Sequence, residues 1–87
     1  MSAPSSELTI FGRTVRKLRR DLDLSQEALA ALAGLSPKHV GEIERANKDP
    51  RFTTVTKLAR ALDVRAGELL TSYDERLERG RRNGHGE

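Results

Sequence analysis

The chain has 87 residues, a third of them charged, a net charge of +3 and no cysteine. That length makes one small domain and not two, and the missing cysteines exclude disulfide staples, a thiolate nucleophile and thiolate metal ligands. No apolar run is long enough to span a bilayer. The opening MSAPSSE has neither the basic nor the apolar region of a secretory signal, so the expectation is a cytoplasmic protein with no membrane contact.

Residues 1–6 are mostly Ser, Ala and Pro and read as a disordered arm. From there the apolar residues recur at helical spacing, and nothing alternates as a strand would. Phe11, Val15, Leu18 and Leu22 form one stripe, predicting a first helix from about Glu7 to Leu22. Five cations, Arg13, Arg16, Lys17, Arg19 and Arg20, crowd the same segment. Ser25 is a good N-cap for a second helix, which carries Gln26 and Glu27 in its first turn, turns Leu29, Ala30 and Ala33 inward and stops at Gly34. Ser36 caps a third helix with Pro37 at its first position, where the missing N–H costs no intrahelical bond. That helix ends near Arg45. After the loop ANKDPRF, a fourth helix from about Thr53 to Leu62 buries Val55, Leu58, Ala59 and Leu62. A fifth starts near Arg65 and holds Leu69 and Leu70; its extent toward Leu77 is open. The end, GRRNGHGE, reads as a disordered tail. The expected organisation is an arm over 1–6, an all-α five-helix domain over 7–72, and a helix extension with a tail over 73–87.

The second and third helices meet across Gly34-Leu35-Ser36. Such a corner needs a small residue where the helices approach (Ala30), a residue free to take φ > 0 (Gly34), an apolar plug (Leu35) and inward apolar positions (Leu29, Ala33, Val40 and Ile43). All are present in order. This is the layout of a helix-turn-helix, whose second helix enters the DNA major groove. The segments LSQEALAALAGLSPKHVGEIER, NKDP, TVTKLARALDV and ELL resemble the Cro/repressor type of helix-turn-helix proteins, also called the XRE family, from Phe11 to Leu70. The resemblance implies a five-helix DNA-binding domain of a transcriptional regulator, a repressor or autoregulator, commonly dimeric on a palindromic operator in double-stranded DNA.

With Val40 and Ile43 inward, Lys38 and Glu42 point outward at about 100° per residue, with Arg45 beside them and His39 and Gly41 on opposite flanks. In the family, side chains at the start of the third helix and one turn later touch bases; these are Pro37, Lys38 and Glu42. Lys38 can donate to guanine, and Glu42 can accept from cytosine N4 or pair with Lys38 or Arg45. Pro37 has no donor and can at most meet a thymine methyl. His39 is either a DNA contact or a solvated side chain. Gly41 admits a DNA strand or a neighbouring helix, or is drift in a surface turn. Gln26, at a position where the family commonly has Gln, and the second helix's N-terminus are expected to meet a phosphate. Arg45, Asn47, Lys48, Arg51, Thr53 and Thr54 are the other expected backbone contacts. For Arg13, Arg16 and Lys17 a solvated face is the better expectation than the flanking strand. The family often pairs a glutamate at the position of Glu44 with an arginine at that of Arg19, which implies an architectural pair orienting the reading helix.

Two departures stand out. Ala46 occupies the position of a common helix-ending glycine, so Asn47 is expected to take the left-handed turn. Arg65 replaces the usual Ser or Thr cap of the fifth helix, so that helix is expected to start late. Leu70, Tyr73 and Leu77 recur at three and four and make an apolar stripe for a homodimer, with Arg76 and Glu78 at its rim, or are scattered surface residues. An enzyme is not expected: His39 has no nucleophile or carboxylate at motif spacing, and His85 lies in the tail. No metal ligand set, cofactor loop or effector domain is visible, so neither a cofactor nor a small-molecule effector is expected. The alternative is a protein-binding module of the same fold, such as an antitoxin masking its toxin.

Overall fold

The computed structural model describes residues 6–70. Of the arm expected over 1–6, Ser6 is already helical; residues 1–5 and the expectations for Tyr73, Arg76, Leu77, Glu78 and His85, and for the extension and tail, lie outside the described residues. The helices are α1 (Ser6–Asp21), α2 (Gln26–Ala33), α3 (Pro37–Glu44) and α4 (Phe52–Ala61), followed by a fifth, α5, described over 66–70. No strand occurs among the described residues.

One core joins all five: Phe11 and Val15 from α1, Leu29, Ala30 and Ala33 from α2, Val40 and Ile43 from α3, Val55, Leu58 and Ala59 from α4, then Leu62 and Leu69. These are the inward positions of the 3.6-residue period. Leu22 departs from its stripe. It is 47% exposed because α1 stops at Asp21 and the chain turns away at Asp23.

α1 to α4 end alike. Asp23 (φ 56), Gly34 (φ 70), Ala46 (φ 61) and Asp63 (φ 59) are left-handed. The next N–H in each case, of Leu24, Leu35, Asn47 or Val64, donates to the carbonyl of Arg19, Ala30, Glu42 or Ala59 respectively, at 2.8–3.0 Å. This backward bond satisfies a carbonyl that the helix leaves open. Leu24, Leu35 and Val64 then pack on the core, so the turn that ends each of these three helices also delivers a plug. Only the second end uses glycine. Asp enters the left-handed region with modest cost; Ala46 does so against its Cβ, held by its buried methyl. The left-handed residue is therefore Ala46 and not Asn47.

α5 starts directly after Arg65, whose N–H donates to Glu68 Oε1 at 3.2 Å. This is the glutamate half of a capping box; it provides the start that the absent Ser or Thr would otherwise supply.

Gly12 marks a close contact between two helices. A Cβ there would lie 2.5 Å from the Ile43 carbonyl oxygen and 2.8 Å from that of Glu44. α1 thus lies against the last turn of α3 at a distance only glycine permits.

Candidate nucleic-acid interface

The corner between α2 and α3 is built from its caps. Ser25 Oγ accepts from the Ala28 N–H at 2.9 Å, and Ser36 Oγ accepts from the His39 N–H at 3.1 Å. Pro37 takes the first position of α3. Leu35 is half-buried against the core. These fix where α3 begins, and Val40 and Ile43, both at most 1% exposed, fix its rotation.

Its far end is held by one carboxylate. Arg19 donates from Nε to Glu44 Oε2 at 2.6 Å and from Nη2 to Oε1 at 3.0 Å. Its Nη1 donates to the Leu24 carbonyl at 2.8 Å. Gln26 Nε2 donates to Glu44 Oε1 at 3.1 Å. The Arg19 and Glu44 side chains are only 11% and 3% exposed, so α1, the start of α2 and the end of α3 meet at a nearly dry, two-pronged ion pair. The Glu44 hydrogen bonds raise the Arg19 pKa; burial opposes this, and the charges of Glu44 and Glu27 assist. The Gln26 bond was not foreseen. It commits one of the two amide donors and leaves the other for a ligand at the α2 N-terminus.

In front of α3 lies an open cleft. Leu35, Ser36, Lys38, His39 and Glu42 form one wall, Lys48, Asp49 and Arg51 come from the α3–α4 loop, and Thr53, Thr54 and Lys57 come from α4. Three of the expected base-reading residues and four of the expected backbone-positioning residues therefore face one concavity. Pro37 is exposed beside it, and Arg45 and Asn47 are exposed past the end of α3. Thr54 is only 5% exposed, so it packs the base of α4, and the hydroxyl available at this helix start is that of Thr53. Lys57 was missed by sequence reading, although it stands four residues after Thr53 on the same helix face. Asp49 was also missed; its carboxylate narrows where a polyanion can sit. Arg51, the N-cap of α4, gives that helix no side-chain cap, so α4 presents open backbone donors beside the cleft.

Gly41 is buried under Arg45, the C-cap of α3: a Cβ there would lie 2.9 Å from Arg45 Nη1. The obstruction is the tip of a flexible side chain, and α3 keeps ordinary helical geometry at this residue. Gly41→Ala should therefore raise stability by about 0.5–1 kcal/mol through helix propensity, seen as a higher thermal midpoint by circular dichroism. A lower midpoint would show that the space over Gly41 is structurally required.

Among the described residues no group of three or more acidic or histidine side chains could hold a metal ion, and no helix is long and apolar enough to cross a membrane. A recognition corner, a clamped second helix and a cation-lined cleft define a helix-turn-helix DNA-binding domain. The Helix-turn-helix family model HTH_3 matches residues 15–69, and the chain belongs to that family. It is a DNA-binding transcriptional regulator of the XRE type, not an enzyme. Control protein C.SmaI of Serratia marcescens is 35% identical over 71 residues, covering 82% of this chain and 84% of its own. The crystal structure of the restriction-modification controller protein C.AhdI from Aeromonas hydrophila is similar with a TM-score of 0.73 and 42% identity, covering 75% of this chain and 98% of that one. The P22 c2 repressor in complex with a synthetic operator is similar with a TM-score of 0.65 and 27% identity, over 69% and 91% of the two chains.

Proposed function

We propose that the protein acts in the cytoplasm as a repressor or autoregulator, reading the major groove of an operator with α3, as a homodimer on a palindromic site. The observation that carries this is the shared cleft, which places Lys38, His39 and Glu42 opposite Lys48, Arg51 and Thr53. Glu42 can accept from cytosine N4 and Lys38 can donate to guanine, while Lys48, Arg51, Lys57 and the α4 N-terminus grip phosphates on either side. The structural relatives support the same arrangement, since one of them is a repressor on its operator.

Binding should be specific for duplex DNA and steeply weakened by salt, because each phosphate contact releases counterions. Fluorescence anisotropy at a series of salt concentrations measures this. Affinity that is absent at low salt, or flat with salt, would refute duplex binding and leave the protein-binding alternative.

Lys38→Ala or Glu42→Ala should relax base preference by about 1–3 kcal/mol for each side chain that reads a base. Lys48→Ala or Arg51→Ala should weaken binding to all sequences alike. Competition assays with single-base operator variants separate the two; four variants that lose affinity without changing preference would place the reading face elsewhere.

One helix-turn-helix covers few base pairs, and two-fold pairing supplies the second half-site. Leu70 in α5, 45% exposed, is the described member of the expected interface. It adjoins a shallow groove lined by Leu8, Phe11, Pro50 and Val55. Sedimentation over a concentration series should show a dimer that Leu77→Asp dissociates. A monomer at every concentration would contradict the dimer, and a dimer indifferent to the substitution would contradict this interface.

A further inference from the structure

α1 carries a second cationic surface. Arg13, Arg16, Lys17 and Arg20, with Asp21, line a shallow exposed depression. Lys17 is paired with Asp21 at 2.8 Å, whereas the side chains of Arg13, Arg16 and Arg20 make no hydrogen bond or ion pair with the described residues. Arg19, one position away, is the buried clamp on Glu44. Like charges one helical turn apart repel, so three unpartnered arginines on one face oppose the stability of α1. Arg20 alone is repaid in part, by lying in the last turn, where a cation complements the helix dipole.

The placement of this face is set by Gly12. At four-residue spacing, Gly12, Arg16 and Arg20 lie along one ridge of α1. The ridge begins where Gly12 meets the carbonyls of Ile43 and Glu44. It then runs toward the end of α1, where Arg19 and Gln26 converge on Glu44. Arg16 and Arg20 therefore continue along α1 from its contact with the end of α3, and Arg20 follows in sequence Arg19, which shares Glu44 with Gln26, the expected phosphate contact. The depression is lined only by charged side chains. A protein partner of ordinary kind needs an apolar or aromatic centre; a phosphate track does not.

We infer that Arg13, Arg16 and Arg20 form a second phosphate track, engaging the DNA backbone outside the bases read by α3 and so lengthening the bound duplex. The inference rests on the reading of α3 as the DNA-binding helix.

The test uses the full chain and two duplexes recovered by selection from random DNA. One is trimmed to the bases α3 protects; the other carries an added helical turn of arbitrary sequence at each end. Affinity is measured against salt for the wild type and for the Arg13→Gln/Arg16→Gln/Arg20→Gln variant, with thermal melts checking that both are folded. The wild type should bind the longer duplex more tightly and with a steeper salt slope. The variant should match the wild type on the trimmed duplex and lose the gain on the longer one, its slope falling by about 0.9 for each phosphate no longer neutralised. If the wild type and a folded variant bind the longer duplex alike, the inference is overturned and the face is left to an acidic protein. Equal losses on both duplexes with unchanged slopes overturn it as well. Should the variant fail to fold, Arg16→Gln alone must still lower the slope on the longer duplex only, and an unchanged slope overturns the inference. A wild type that binds neither duplex refutes the reading of α3 itself, and the inference with it.

Discussion

Arg19→Ala should destabilise the domain by about 3–5 kcal/mol, the cost of leaving one partner of a buried pair uncompensated. The loss falls on Glu44, whose side chain is 3% exposed and would keep only the Gln26 bond. A small domain holds about 5–15 kcal/mol in all, so the variant should melt far below the wild type in denaturant titration. The effect belongs to the orphaned carboxylate more than to the value of the pair. Arg19→Met combined with Glu44→Leu, which removes both charges and keeps bulk, should accordingly recover much of the stability. It should not recover full DNA preference, because Glu44 also ties α2 to α3 through Gln26. A double variant no more stable than Arg19→Ala would show that the pair supplies net stability. The raised Arg19 pKa makes this contribution insensitive to pH in the ordinary range: it is fully present below the usual arginine value and is lost only as pH rises through the raised one.

Gly12→Val should be comparably damaging. The Cβ alone would sit 2.5 and 2.8 Å from two backbone oxygens, which cannot rotate away as a side chain can. Overpacking of this kind costs about 1–3 kcal/mol and more where backbone must move. The helix-propensity gain of Gly12→Ala, about 1 kcal/mol at most, cannot offset it, so even alanine should destabilise. Gly12→Ala and Gly41→Ala therefore carry opposite predicted signs, although both are glycines inside helices. Melting midpoints that move the same way in the two would contradict the account of the α1–α3 contact.

Much of this was legible because the relevant signals are local. Ser25 and Ser36 announce helix starts, Gly34 announces an end, and 3.6-residue spacing separates Val40 and Ile43 from Lys38 and Glu42. What the sequence hid depends on where helices cross. Gly12 carried a usable signal, a costly residue inside an amphipathic helix, but nothing local says which neighbour approaches it. Ala46 in a left-handed turn runs against propensity and is imposed by tertiary packing. The Gln26 bond to Glu44 spans 18 residues and follows only from the crossing of α2 and α3. Leu22 looked like core because its spacing continues the α1 stripe, yet the helix ends one residue earlier.

Selection of bound fragments from random duplex DNA, run in parallel with the wild type and Glu42→Ala, tests most directly whether α3 is the reading helix. The wild type should enrich a two-fold-symmetric site with half-site centres about one helical turn apart, roughly 34 Å. Glu42→Ala should keep the symmetry and spacing while losing preference at one base pair in each half-site. Enrichment of an identical sequence by both proteins, or of no sequence by the wild type, would contradict the reading of DNA by α3.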